Sequence, residues 1–111
     1  MEIKIEMNGK VQVVSINGEL DSTTTPAVQE KIIILASPEA RILLDMSQVQ
    51  YMSSAGLRMF LLMYRTIVGK GGKVVLVGLS SDLADTMSMT GFLDFFTCVP
   101  TLGEGIAQLT P

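Results

Sequence analysis

Two short aliphatic runs separated by one helical run constrain this chain more than any other feature. "RILLDM" begins at Arg41 and "KVVLVG" at Lys73, and Ser54 to Val68 between them has helical spacing. Continuous aliphatic runs of that length suit parallel strands buried on both faces. Parallel neighbours need a crossover, usually a helix, and the crossover is right-handed. A β-α-β unit is therefore expected at the centre of the fold.

The flanking segments extend the pattern. "IKIEM" and "VQVVSI" read as strands with Asn8-Gly9 between them, a strong hairpin signal. A second pair, Asn17-Gly18, is expected to end the second strand. In "ELDSTTTPAVQEKIIILA", Thr25 can cap a helix, Pro26 suits its first position, and Val28, Ile32 and Leu35 recur at helical spacing. Ser37-Pro38 stops that helix. In the central helix, Leu57, Leu61, Tyr64 and Val68 are expected to form the buried face, with Arg58 and Arg65 on the wet side. "SSDLADTMSMTG" reads as a helix capped by Ser80 or Ser81 and closed by Gly91. "FFTCV" is a last strand and "GEGIAQL" a terminal helix. The order is β-β-α-β-α-β-α-β-α. The expected fold is α/β, one domain over residues 1–111: an N-terminal β-hairpin leading into a mostly parallel sheet with packed helices.

Composition excludes several functions. A chain of 111 residues, 48% hydrophobic and 17% charged, has one core and is too apolar to be disordered. It contains no histidine, so Ser-His-Asp and Cys-His catalysis and the usual zinc sites are excluded. Its net charge is −3 and its eight Lys and Arg form no run, so no nucleic acid is expected as a partner. No apolar run reaches the roughly 18 residues that span a bilayer. "MEIKIEMNGK" lacks the apolar core of a secretory signal. A cytoplasmic protein with no membrane contact is expected. Cys98 stands alone and is expected to be a buried small apolar residue. No strand edge stands out as sticky, and a monomer is expected.

Familiar ligand motifs fail on spacing. "VGKGGKVV" lacks the phosphate-loop spacing and precedes a strand, and "GEGIAQ" has glutamine where a dinucleotide fingerprint ends in glycine. No cofactor is implied. What remains is "YMSSAGLRMF", Tyr51 to Phe60, where small residues meet the central helix. Two readings stand side by side. Ser54 is an ordinary helix-starting serine, with Ala55 and Gly56 allowing close packing. Alternatively, its hydroxyl accepts a phosphate, which a helix N-terminus tolerates and Arg58, four residues on, can bond. That phosphate would add about −1.5 to −2 charges to a surface a partner must desolvate. Asp21 likewise reads either as a turn residue or as a contact. Met52 and Met89 are core filler or adaptable contacts.

"NGELDSTT" followed by "RILLDMSQVQYMSSAGLRMFL" resembles the STAS-domain proteins, the bacterial anti-sigma factor antagonists, and "SMTGFLDFFTCVPTLGEGIAQL" is similar to their closing segment. The resemblance covers nearly the whole chain. It implies a binding protein that is not an enzyme and works by partner switching in transcription control. Unphosphorylated, such a protein binds an anti-sigma factor that is itself a serine kinase, and the sigma factor is released. Phosphorylation on one serine breaks the complex, and a PP2C-type phosphatase restores it. The family's acceptor lies two residues before the motif's glycine, which is Ser54 here, with Ser53 as the alternative. Ser53 stands where the family often has aspartate, and Ala55 replaces a second family serine. The "GELD" aspartate falls on Asp21, expected beside Ser54. Gly56 is expected to admit the partner's backbone. The partner-binding set so implied is Asp21, Met52, Ser53, Ser54, Gly56 and Arg58. The alternative from another class is a soluble STAS subunit of a membrane transporter, or of a secretion or stress regulatory complex, with Ser54 only a cap.

Overall fold

The computed structural model describes residues 1–110. The strands are β1 (Glu2–Asn8), β2 (Val11–Leu20), β3 (Arg41–Met52), β4 (Lys73–Val77) and β5 (Thr97–Val99). The helices are α1 (Thr25–Ile33), α2 (Ser54–Gly69), α3 (Ser81–Met89) and α4 (Leu102–Leu109), with a short 3₁₀ turn at Phe92–Phe95. One sheet holds all five strands in the order β1-β2-β3-β4-β5. β1 and β2 are antiparallel, and every later pairing is parallel. The expected α/β class, hairpin and element order are all present. The 3₁₀ turn was not foreseen.

Strand pleating divides the core in two, because alternate side chains point to opposite faces. Val14, Ile16, Ile42, Leu44, Val74 and Leu76 pack with α1, α2 and α3. Val11, Val13, Leu43, Val75 and Val77 face the other way and pack with Leu109 of α4. α4 lies very close to the sheet. A Cβ on Gly105 would sit 2.7 Å from both Leu43 Cδ1 and Val77 Cγ2, so a side chain there would have to push both methyl groups aside. This glycine of the rejected "GEGIAQ" motif is a packing residue.

Several boundaries differ from the sequence reading. Asn17-Gly18 does not end β2, which runs on to Leu20, and β3 is twelve residues long. The two strands extend each other. Asn17 pairs with Gln48, Gly18 with Val49 and Leu20 with Met52, with two register shifts along the way. Each shift gives β3 one extra residue, so Met46, Val49 and Met52, three apart, all reach the helix-side core. α1 starts at Thr25, which is buried, with Thr24 in the capping position. On α2 the buried set is Gly56, Leu57, Met59, Phe60, Met63 and Ile67. Leu61 and Tyr64 are half-buried, and Val68 is exposed. The helix is rotated toward the row Gly56, Phe60, Met63, Ile67, which sits over the sheet. Cys98 is exposed on the edge strand β5, not buried as expected. Partial desolvation there still pushes its thiol pKa up.

Candidate functional site

The stretch from Tyr51 to Phe60 is a strand running almost directly into a helix. Tyr51 and Met52 belong to β3, leaving Ser53 as the whole of the junction. Ser53 is extended and caps α2: its Oγ accepts from Gly56 N–H at 3.3 Å. Its N–H donates to the Leu20 carbonyl at 2.8 Å, and its own carbonyl accepts from Leu57 N–H at 3.0 Å. Ser53 is therefore held at three atoms. Ser54 is the first helical residue, is exposed, and makes no side-chain hydrogen bond among the described residues. The sequence reading gave the capping position to Ser54, whereas Ser53 occupies it.

Gly56 is buried, contrary to the expectation that it faces a partner. A Cβ there would lie 2.8 Å from Met52 Cγ, 3.1 Å from the Leu20 carbonyl oxygen and 3.3 Å from Leu20 Cβ. Its missing side chain lets α2 start directly against the ends of β2 and β3. Met52 is 5% exposed and lies beneath the helix start, so it supports the surface and is not part of it. Met89, by contrast, is 88% exposed at the end of α3.

Asp21 follows Leu20, and Leu20 is the register partner of Met52. Asp21 and Ser53 therefore emerge from the ends of adjacent strands. The Asp21 carboxylate accepts from Thr23 N–H at 2.9 Å, from the Thr23 hydroxyl, and from Thr24 N–H at 3.1 Å. The Thr23 hydroxyl and then the Thr23 N–H hold its pKa below the ordinary 3.8, because each bond favours the ionised form. Thr24 closes the turn by accepting from Asp21 N–H at 3.0 Å and donating to the Glu19 carbonyl at 2.7 Å. Asp21 is a turn-former in the structure and stays charged and solvent-facing. Thr24 was missed from sequence, since a threonine in "STTT" has no distinguishing signal.

Arg58 lies one turn along α2 from Ser54 and is exposed. Among the described residues the one ion pair is Lys4–Glu6, so the Arg58 guanidinium is uncommitted. The first turn of α2 contains no acidic residue. Its outward N–H groups and partial positive charge are therefore not neutralised locally. An anion attached to Ser54 would meet that charge and Arg58 together. Among the described residues no cluster of acidic, His or Cys side chains forms a metal site, and no helix is long and apolar enough to cross a membrane.

Fold and site together define a small α/β module with an exposed serine hydroxyl at a strand–helix junction. The profile of the STAS domain matches residues 2–105, and the chain belongs to that family. It is 30% identical over 108 residues to the "Anti-sigma-B factor antagonist" of Bacillus subtilis, covering 97% of this chain and 98% of the relative. The crystal structure of an anti-sigma factor antagonist from Mycobacterium paratuberculosis superposes with a TM-score of 0.84 at 25% identity, covering 97% and 92% of the two chains. The unphosphorylated form of SpoIIAA superposes at 0.80 with 21% identity, covering 97% and 96%.

Proposed function

We propose that this protein is an anti-sigma factor antagonist that works by partner switching through Ser54. In the unphosphorylated state the surface formed by Asp21, Ser53, Ser54 and Arg58 docks on an anti-sigma factor that is itself a serine kinase, and the sigma factor is freed. The kinase then transfers the γ-phosphoryl group of ATP to Ser54. The Ser54 oxygen bonds to phosphorus, the bond to ADP breaks, and the hydroxyl proton passes to a base on the kinase. The complex separates, and a PP2C-type phosphatase hydrolyses the ester.

The observation that carries this reading is the contrast between neighbouring serines. Ser53 Oγ is engaged in the cap, while Ser54 Oγ is exposed. A phosphate on Ser54 is compatible with the fold, since it sits at an un-neutralised helix N-terminus. It is incompatible with a dry interface, because its charge must be desolvated. A loss of about 3 kcal/mol would weaken a complex roughly 100-fold, enough for a switch. The likeness to the Bacillus subtilis antagonist supplies the partner class. SpoIIAA, which shares the fold, has been solved in phosphorylated and unphosphorylated forms.

The test is to incubate the protein with its cognate anti-sigma kinase and ATP and to locate the modified residue by mass spectrometry. One phosphate on Ser54 is expected. Phosphate on Ser53, or none, overturns the assignment.

A further inference from the structure

We propose that β1 is a pairing edge for a second copy of this chain, joining two five-stranded sheets into one across a twofold axis at Ile5. Among the described residues β1 is the outermost strand, with β2 on one side and no neighbour on the other. It is seven residues long, whereas β5 at the opposite edge has three. Long free edges are templates for another strand unless something blunts them.

The sequence of β1 is complementary to itself in one antiparallel register. Reading Glu2-Ile3-Lys4-Ile5-Glu6-Met7-Asn8 against its own reverse sets Ile5 opposite Ile5, Ile3 opposite Met7, and Lys4 opposite Glu6. Glu2 then faces Asn8. Directly opposed residues share a face, so the apolar pairs meet on one side and the opposite charges on the other. A shift by one residue would set Lys4 against Ile5 and lose both matches.

Exposure supports the same occupant. Ile3, Ile5 and Met7 lie opposite Ile16, Val14 and Gln12, on the helix side of the sheet. Ile3 packs on the main core. Ile5 remains 40% and Met7 62% exposed, although their pleat points them inward. A second β1 would cover both. On the other side Lys4 and Glu6 contact each other at 3.0 Å while 72% and 58% exposed, free to exchange that bond for one across the axis.

The backbone is set for this register. β1 and β2 are joined by the two-residue turn Gly9-Lys10, which closes on Asn8 and Val11. Such a turn makes that closing pair hydrogen-bonded, and the pattern alternates from there. The N–H and C=O groups of Asn8, Glu6 and Lys4 thus face β2, and those of Met7, Ile5 and Ile3 face outward. Across the axis Ile5 exchanges both bonds with Ile5, and Ile3 with Met7 on either side. Charged edge residues usually prevent such pairing, but here opposite signs meet. Ser54 follows β3, which β2 separates from β1.

Two strands alone bury less than about 1,200 Å², the class of weak and transient contacts, so the dimer is expected to dissociate on dilution. Sedimentation equilibrium of the full chain from about 5 µM to about 1 mM covers the weak range of affinity. The mass should rise from 12.0 kDa toward twice that figure. K4E or E6K alone sets like charges opposite each other twice and should weaken the dimer about tenfold. The swap K4E/E6K recreates the match and should restore it to within about threefold. Ile5→Pro removes an outward N–H and should leave a folded monomer by circular dichroism; if that variant unfolds, the charge variants decide alone. A monomer at every loading overturns the proposal, as does a dimer that the single reversals leave unchanged or the swap fails to rescue.

Discussion

The backbone N–H of Ser53 donates to the carbonyl oxygen of Leu20 at 2.8 Å. This bond ties the start of α2 to the end of β2. It places the residue after Leu20, Asp21, beside the junction that carries Ser54. The same carbonyl lies 3.1 Å from where a Cβ on Gly56 would be. Strand end, helix start and glycine are therefore one packed unit, and the exposed hydroxyl stands on top of it.

Ser54→Asp places a carboxylate at the first position of α2, where the helix dipole favours it. The variant should melt within a few degrees of wild type while its affinity for the anti-sigma kinase falls at least tenfold by calorimetry. Ser54→Ala should bind like wild type and take up no phosphate. An aspartate variant that binds with unchanged affinity would disprove the electrostatic switch.

Ser53→Ala removes the capping oxygen that serves Gly56 N–H, costing about 1 kcal/mol of stability in denaturant unfolding. Phosphorylation should still go to Ser54. If this variant instead loses phosphorylation altogether while staying folded, Ser53 is the acceptor.

Gly56→Ala forces a methyl group against a backbone carbonyl that is already hydrogen-bonded. Met52 can swing away, but Leu20 cannot. A loss of about 1–3 kcal/mol is expected, as in overpacked cores, with an unchanged denaturant slope. A neutral effect would show that the contact relaxes freely.

Asp21 carries the pH dependence. Its folded pKa lies below the ordinary 3.8. Its stabilising contribution is therefore complete above that ordinary value and is lost as pH falls through the lower folded one. Asp21→Asn should flatten the acid limb of the melting-temperature profile below about pH 4. At neutral pH the melting temperature should fall by no more than a few degrees. A profile unchanged at acid pH would place that stabilisation elsewhere.

Phe60 is 1% exposed under the middle of α2. Phe60→Ala should cost about 3–5 kcal/mol through the lost burial and the cavity left behind. A cost under about 1 kcal/mol would mean that the core collapses around it.

The order of elements, the existence of the β1–β2 hairpin and a hydroxyl where a strand meets the central helix were legible in the chain itself, although the hairpin turns at Gly9-Lys10 with Asn8 still in β1, one residue later than Asn8-Gly9 suggested. These are local properties: aliphatic runs, Asn-Gly, and small residues before a helical period. Three things were decided by the tertiary structure. The first is the length of β2 and β3, because each runs past its local signal only where the other offers hydrogen-bond partners, and two register shifts hide the alternation around Met46, Val49 and Met52. The second is the division of labour between Ser53 and Ser54, which depends on where Leu20 and Gly56 present their backbone groups. The third is the inward role of Gly56 and Met52: burial is a property of what lies opposite, and what lies opposite them is a strand more than thirty residues earlier in the chain.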